Sequence, residues 1–290
     1  MTGTRHPTAA QLAAADPETL LPASLALERH GRVAILRLSR EAKRNALDDA
    51  TVLGLERFFS APPAWAHAVV LDAAGNHFSA GLDLSELTER DTLEGLEHSL
   101  MWHRAFARIE QGRLPVVAVL RGAVVGGGLE LASATHVRVA EPSAFYALPE
   151  GQHGLFVGGG ASVRVPRLIG VHRMADMMLT GRVVDAQEGQ AIGLSHYLVG
   201  AGEGLKKAVE LAERIAKNAP VTNFAVLQAL PRIAEANPSQ GYLLEALMAS
   251  VASGSDEAKT RMAAFLEGRA GKVGGATDTP DAGRAGGAAS

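Results

Sequence analysis

Three stretches of the chain bring together residue types that do chemistry. Gly122-Ala123-Val124-Val125-Gly126-Gly127-Gly128-Leu129-Glu130-Leu131 follows an apolar run ending at Leu120. Glycines between a strand and a helix let backbone N–H groups approach a ligand unobstructed, with the helix dipole directed at negative charge. The stretch is not a phosphate loop of the common kinds. Counted from Gly126, the sixth position of a G-x-G-x-x-G fingerprint is Leu131, and the Gly271-Lys272 pair is followed by Val273. Taken alone, the glycines suit a tight strand–helix turn equally well.

The second stretch is His77-Phe78-Ser79-Ala80-Gly81-Leu82-Asp83-Leu84-Ser85-Glu86-Leu87. Asp83 with Glu86 three residues on fits a capping box and predicts a helix starting there, whatever the function. Two strand–glycine–helix turns, each presenting one N–H, would together form an oxyanion hole. The third stretch, Ala147–Gly154, sets Glu150 beyond Glu130 after another strand-like run. Both glutamates stand among apolar residues and glycine. In a shared apolar pocket two carboxyls raise each other's pKa, so that one can serve as acid and one as base near neutral pH. A lone Glu at a helix N-terminus is more often a partner of the dipole.

The elements that must position these residues alternate. Val33–Leu38, Ala68–Asp72, Pro115–Leu120 and His136–Ala140 read as strands. Asp48–Phe59 reads as a helix capped by Asp48. From Gly202 onward the strands stop, and Gly202–Asn218, Val221–Ala236, Gln240–Ser253 and Asp256–Gly268 read as helices. Strands feeding glycine turns and helices place sites at strand C-terminal ends, and by themselves suggest a doubly wound sheet.

Composition bounds the rest. Of 290 residues, 32 are Gly, against an ordinary usage of about 7%. Six of these glycines fall in Gly271–Ser290, a segment too poor in apolar surface to offset its ordering entropy. A net charge of −3 implies no basic field for nucleic acid or anionic lipid. The absence of Cys excludes disulfides, thiolate metal sites and a catalytic thiol. No apolar run approaches the ~18 residues of a membrane span, and the N-terminus looks like neither a signal nor a transit peptide, so a cytoplasmic protein is expected.

Taken in order, these stretches resemble the crotonase superfamily of enoyl-CoA hydratases and isomerases. The matching pieces are Lys43-Arg44-Asn45-Ala46-Leu47, Phe78–Leu84, Gly126–Ala132, and Pro149-Glu150 with Gly158-Gly159-Gly160. Further matches are Pro166–Gly170, Leu179–Arg182, Ala186-Gln187-Glu188 with Gly193-Leu194, and Ala264–Glu267. The resemblance implies a crotonase-like α/β fold, a spiral of ββα repeats with stacked sheets and a C-terminal helical segment, in place of a doubly wound sheet. The matches cover roughly residues 24–270, and with composition and pattern they divide the chain into an arm at 1–22, a core at 23–200, a helical segment at 201–270 and a tail at 271–290.

The same resemblance assigns roles. The backbone N–H groups of Leu82 and Gly127 would form the oxyanion hole for an acyl-CoA thioester, and Glu130 and Glu150 would be the acid/base pair. Arg44, Ala46, Leu47, Ala80, Gly81, Asp83, Leu84, Gly126 and Gly128 would contact coenzyme A or the acyl group. No metal and no separate cofactor are implied, coenzyme A being part of the substrate, and no nucleic acid or membrane partner. Trimers, or hexamers built from two trimers, are implied as well. Two glutamates favour a hydratase over an isomerase, a hydratase–lyase or a non-catalytic acyl-CoA binder. The Pro usual after the second Glu's Gly is missing here, where Gly154-Leu155-Phe156-Val157 stands. Trp102 is read as packing, His103 as a surface residue, and His153 as an unconvincing extra acid.

Overall fold

The computed structural model describes residues 21–86 and 91–267. The expected arm, apart from residues 21 and 22, and the whole of the expected tail lie outside the described residues. In chain order the strands are β1 (Leu25–His30), β2 (Val33–Leu38), β3 (Ala68–Ala73), β4 (Val116–Leu120), β5 (Ala123–Val125), β6 (Val137–Ala140), β7 (Phe145–Ala147), β8 (Val184–Asp185) and β9 (Tyr197–Leu198). The helices of the first two-thirds are α1 (Asp49–Ser60), α2 (Thr92–Glu110), α3 (Gly127–Ser133), α4 (Ala161–Ile169), α5 (Val171–Thr180) and α6 (Ala186–Ile192). Then come α7 (Gly204–Ala216), α8 (Pro220–Phe224), α9 (Leu230–Glu235), α10 (Pro238–Gly254) and α11 (Asp256–Leu266).

Two sheets result. The larger has the order β1-β2-β3-β4-β6-β9, with the β1–β2 hairpin antiparallel and every later pairing parallel. The smaller is β5-β7-β8. Isolated pairings of Ser79 with Val124 and of Leu47 with Leu82 carry the smaller sheet's edge outward. The chain therefore repeats one path: a strand in the large sheet, a short extended piece beside the small one, then a helix. β2, Leu47 and α1 make the first turn, β3, Ser79–Leu82 and α2 the second, and β4, β5 and α3 the third. This is the ββα repeat that the resemblance implied, and it replaces the doubly wound sheet suggested by alternation alone.

Burial explains why the strands read as continuous apolar runs. Along β2, Ala34, Leu36 and Leu38 enter the main core, while Val33 and Ile35 face the other way. That second face, with Ala68, Val70, Val117 and Val119, is covered by Ala208, Leu211, Ala212 and Ala216 of α7. All residues of β3 and β4 are buried, as expected of parallel strands covered on both sides.

Two local expectations need correction. Where the sequence predicts a helix from Asp83, the described residues hold a 3-10 turn, Leu84–Glu86, with residues 87–90 outside them, and Asp83 Oδ1 accepts from Ser85 N at 3.0 Å. The capping box stands later, where Asp91 and Glu94 exchange hydrogen bonds at the start of α2. The predicted helix Val221–Ala236 is broken into α8, a π-helical turn at Ala225–Ala229, and α9. Pro231 in α9 has no N–H to donate to the carbonyl four residues back, which opens the turn before it.

Candidate active site

The glycine stretch after β5 sets the geometry. Gly126 caps α3 with φ +52 and ψ −122, a conformation costly for any residue with a β-carbon. Its N–H donates to Ala147 O at 3.0 Å, tying the turn to β7. Gly127 then supplies the first N–H of α3, one of the donors a helix cannot satisfy internally. Leu82 approaches from the neighbouring turn, held by Leu47 N to Gly81 O at 2.7 Å and Asp83 N to Leu47 O at 2.9 Å. A β-carbon on Gly127 would stand 3.4 Å from the Leu82 nitrogen and 2.8 Å from Cζ3 of Trp102. The two amides are thus adjacent, and among the described residues neither donates a hydrogen bond.

Both amides open on a cavity of about 340 Å³. Its walls come from Ala80–Leu82 and Leu84, from His98, Ser99 and Trp102 of α2, and from Val125–Gly127 and Glu130. The segment from Pro149 to Gly159 closes the remaining side, with Glu150, His153, Leu155 and Phe156.

The two carboxyls differ in surroundings. Glu130 is 4% exposed, and its Oε1 accepts from Gly159 N at 2.7 Å and Ala161 N at 3.1 Å. Burial pushes this carboxyl above the ordinary range, against the pull of those amides and of the Arg164 guanidinium. Arg164 is fixed by Glu110 at 2.8 Å and by Gly159 O at 3.0 Å. Glu150 rides on the 3-10 turn Pro149–His153. Among the described residues its Oε2 is buried without a partner. Burial pushes its carboxyl up to about 7, the repulsion of Glu130 adding to the effect of burial.

The sequence-predicted residues divide by position. Ala80, Gly81, Leu82, Leu84, Gly126, Gly127, Glu130 and Glu150 line the one cavity. Arg44, Ala46, Leu47, Asp83 and Gly128 are not on its wall. Leu47 is wholly buried, and Arg44 is exposed at a left-handed φ of +50. A β-carbon on Gly128 would meet Ser79 O at 2.5 Å, so its smallness serves packing. Asp83 pairs with Arg40 at 2.6 Å, and Arg40 also donates to Ala46 O at 2.6 Å. Asp83 therefore braces the 40–47 turn against Leu82; its hydrogen bonds to Ser85 and the Arg40 charge hold its carboxyl far below the usual range.

Trp102 does more than pack. It stacks edge-on against Phe106 at 5.4 Å, yet its ring also underlies Gly127 and Gly159 in the cavity wall. His103 is exposed, as read from the sequence, whereas His153 lies on the cavity wall. Sequence reasoning missed His98 and Ser99. The signal was present in the four-residue spacing of His98 and Trp102, which puts both on one helix face.

The comparisons with known proteins fit this arrangement. The family model described as enoyl-CoA hydratase/isomerase matches residues 28–275. A short-chain-enoyl-CoA hydratase of Clostridium acetobutylicum is 30% identical over 246 residues, 84% of this chain and 94% of that protein. A crystal structure of a proposed enoyl-CoA hydratase from Rhodopseudomonas palustris CGA009 superposes with a TM-score of 0.84. It is 58% identical and covers 88% of this chain and 97% of its own. The enoyl-CoA hydratase of Bacillus anthracis gives a TM-score of 0.80 at 29% identity, covering 85% of this chain and 97% of its own. The chain belongs to the enoyl-CoA hydratase/isomerase family and has its crotonase-like fold.

Proposed function

We propose that the protein adds water across the 2,3 double bond of a 2-enoyl-CoA thioester. The observation that carries this reading is the pair of carboxyls, one held by two amides and one with an oxygen buried without a partner among the described residues, on the wall of the cavity that the Leu82 and Gly127 N–H groups enter. The thioester oxygen accepts from both amides, which favour the negative charge it develops as an enolate. A water molecule lies between Glu130 and Glu150. Its oxygen bonds to Cβ as Glu130 takes one of its protons, and the π electrons move to the thioester oxygen. The enolate then collapses and draws the Glu150 proton onto Cα. Surroundings support this division of labour: Glu130 Oε1 has two N–H donors for its anion, and Glu150 Oε2 has none.

The test is loss of conjugated-thioester absorbance when the purified protein meets 2-enoyl-CoAs of graded chain length, with product mass measured in parallel. A gain of one water identifies hydration. Unchanged mass with a moved double bond points to isomerisation, and no turnover at any length overturns the reading. The coenzyme A moiety is expected along Arg44, Ala46 and Leu47. The chain is also expected to assemble into trimers or pairs of trimers. No helix among the described residues is long and apolar enough to cross a membrane.

A further inference from the structure

His98, a polar residue of the cavity wall that the proposed reaction does not use, has its orientation fixed from outside the cavity. Its Nε2 lies 2.8 Å from Oδ1 of Asp49, the first residue of α1, and its side chain is only 16% exposed. Because a carboxylate only accepts, Nε2 must carry the hydrogen, which leaves Nδ1 as the nitrogen available to a ligand. Ser99, the next residue along α2, also lines the cavity. Its Oγ would stand 3.1 Å from a β-carbon on Gly158, beside the loop whose Gly159 N–H holds Glu130. Leu84, Trp102, Leu155 and Phe156 supply the large apolar part of the wall, which also holds Glu130, Glu150 and His153. An orienting carboxylate behind a histidine is more than a plain hydrocarbon chain requires.

We infer that His98, oriented by Asp49 and assisted by Ser99, is a specificity site for an acyl group whose chain ends in a hydroxyl. This rests on the proposed use of the cavity for an acyl thioester. A hydroxyl suits the site because it both donates and accepts. It serves Nδ1 whether that atom is bare or protonated, and it serves the Ser99 hydroxyl in either direction. An anionic tail fits less well, since Asp49, Glu130 and Glu150 would all face or back the same space. His98 and Ser99 would touch substrate, and Asp49 would act as a positioning residue.

The test compares ω-hydroxy-2-enoyl-CoAs of increasing length with isosteres ending in methyl, by kcat/KM. In parallel, calorimetry measures binding of the corresponding saturated pairs, which cannot turn over. At the length that reaches His98, a preference of roughly three- to tenfold for the hydroxyl is expected in both measurements. His98→Leu should reduce the ratio to about one. Asp49→Ala should lower it as well, and Asp49→Asn, which keeps an acceptor for Nε2, should restore it. A ratio near one at every length in the unaltered protein, or a preference that survives His98→Leu, overturns the inference while leaving hydration standing. Absence of hydration with every substrate would instead remove the proposed reaction, and the binding ratios would still decide what His98 recognises.

Discussion

Glu130 and Glu150 carry the same functional group in unlike surroundings, and their expected variants differ accordingly. Replacing Glu130 by Gln leaves the Gly159 and Ala161 amides an acceptor but removes the base, so kcat should fall roughly 10²- to 10⁴-fold with little change in KM. Glu150→Gln should cost a comparable factor by removing the proton donated to Cα. Steady-state kinetics with one substrate checks both, and a variant retaining a tenth of wild-type kcat would deny that residue its role. The pH profile separates them further. With Glu150 titrating near 7 and needed in its protonated form, kcat/KM should decline as pH rises through about 7. The same shift affects stability. Glu150 binds its proton more tightly folded than unfolded, so its penalty is absent below about 4.5, grows through the window up to about 7, and is complete above it. Thermal unfolding should therefore show Glu150→Gln gaining Tm over wild type at pH 8 relative to pH 5. An advantage independent of pH would contradict the burial argument.

At the scale of elements, the site depends on how closely two turns approach. Gly127 brings α3 against Leu82 with Trp102 beneath, and a β-carbon there would lie 2.8 Å from the indole. Gly127→Ala should push the turn away from Leu82 and cost about 3 kcal/mol of barrier, the usual loss for one misplaced oxyanion donor. Measured as kcat at saturating substrate, that is a fall of about a hundredfold, and an unchanged kcat would place the oxyanion elsewhere. The neighbouring turn relies on Arg40, which joins Asp83, Asp48 and Ala46 O. Arg40 keeps Asp48 when Asp83 loses its charge, so Asp83→Asn should destabilise by about 1 kcal/mol, and denaturant unfolding checks it. These turns also show what was legible beforehand. The alternation of apolar runs and glycine gave away β2, β3, β4 and α1, and the glutamates stood out by lacking a solvated face. Asp83 was read as a cap alone because its pairing with Arg40, a residue far back in the chain, leaves no mark in the local Asp-x-x-Glu spelling. His98 was hidden for a similar reason, since its meaning comes from Asp49 on another helix.

Across the whole molecule, the spiral buries its central strands β3 and β4 on both faces but leaves the C-terminal helices α10 and α11 with apolar side chains turned outward. The low sequence signal for where α7 would lie had this cause: its small buried residues fit any sheet, and only the alternate Val and Ile of β2, β3 and β4 show which face they cover. Beyond it, α10 exposes Tyr242, Leu243, Leu247 and Val251, and α11 exposes Met262, Phe265 and Leu266. Exposed large apolar side chains on two successive helices are what an association face presents, and we propose that these helices form one. Self-association would bury it, and light scattering on the eluting protein is expected to give three or six times the chain mass. Charges placed in the middle of the face, as in Leu243→Glu with Leu247→Glu, would have to be desolvated on assembly and should shift the population toward single chains. The cavity is lined within one chain by α2, α3 and the segment from Pro149 to Gly159, so the dissociated variant should keep its Glu130 and Glu150 geometry. A wild-type protein eluting as a monomer at micromolar concentration would show instead that these helices stay exposed.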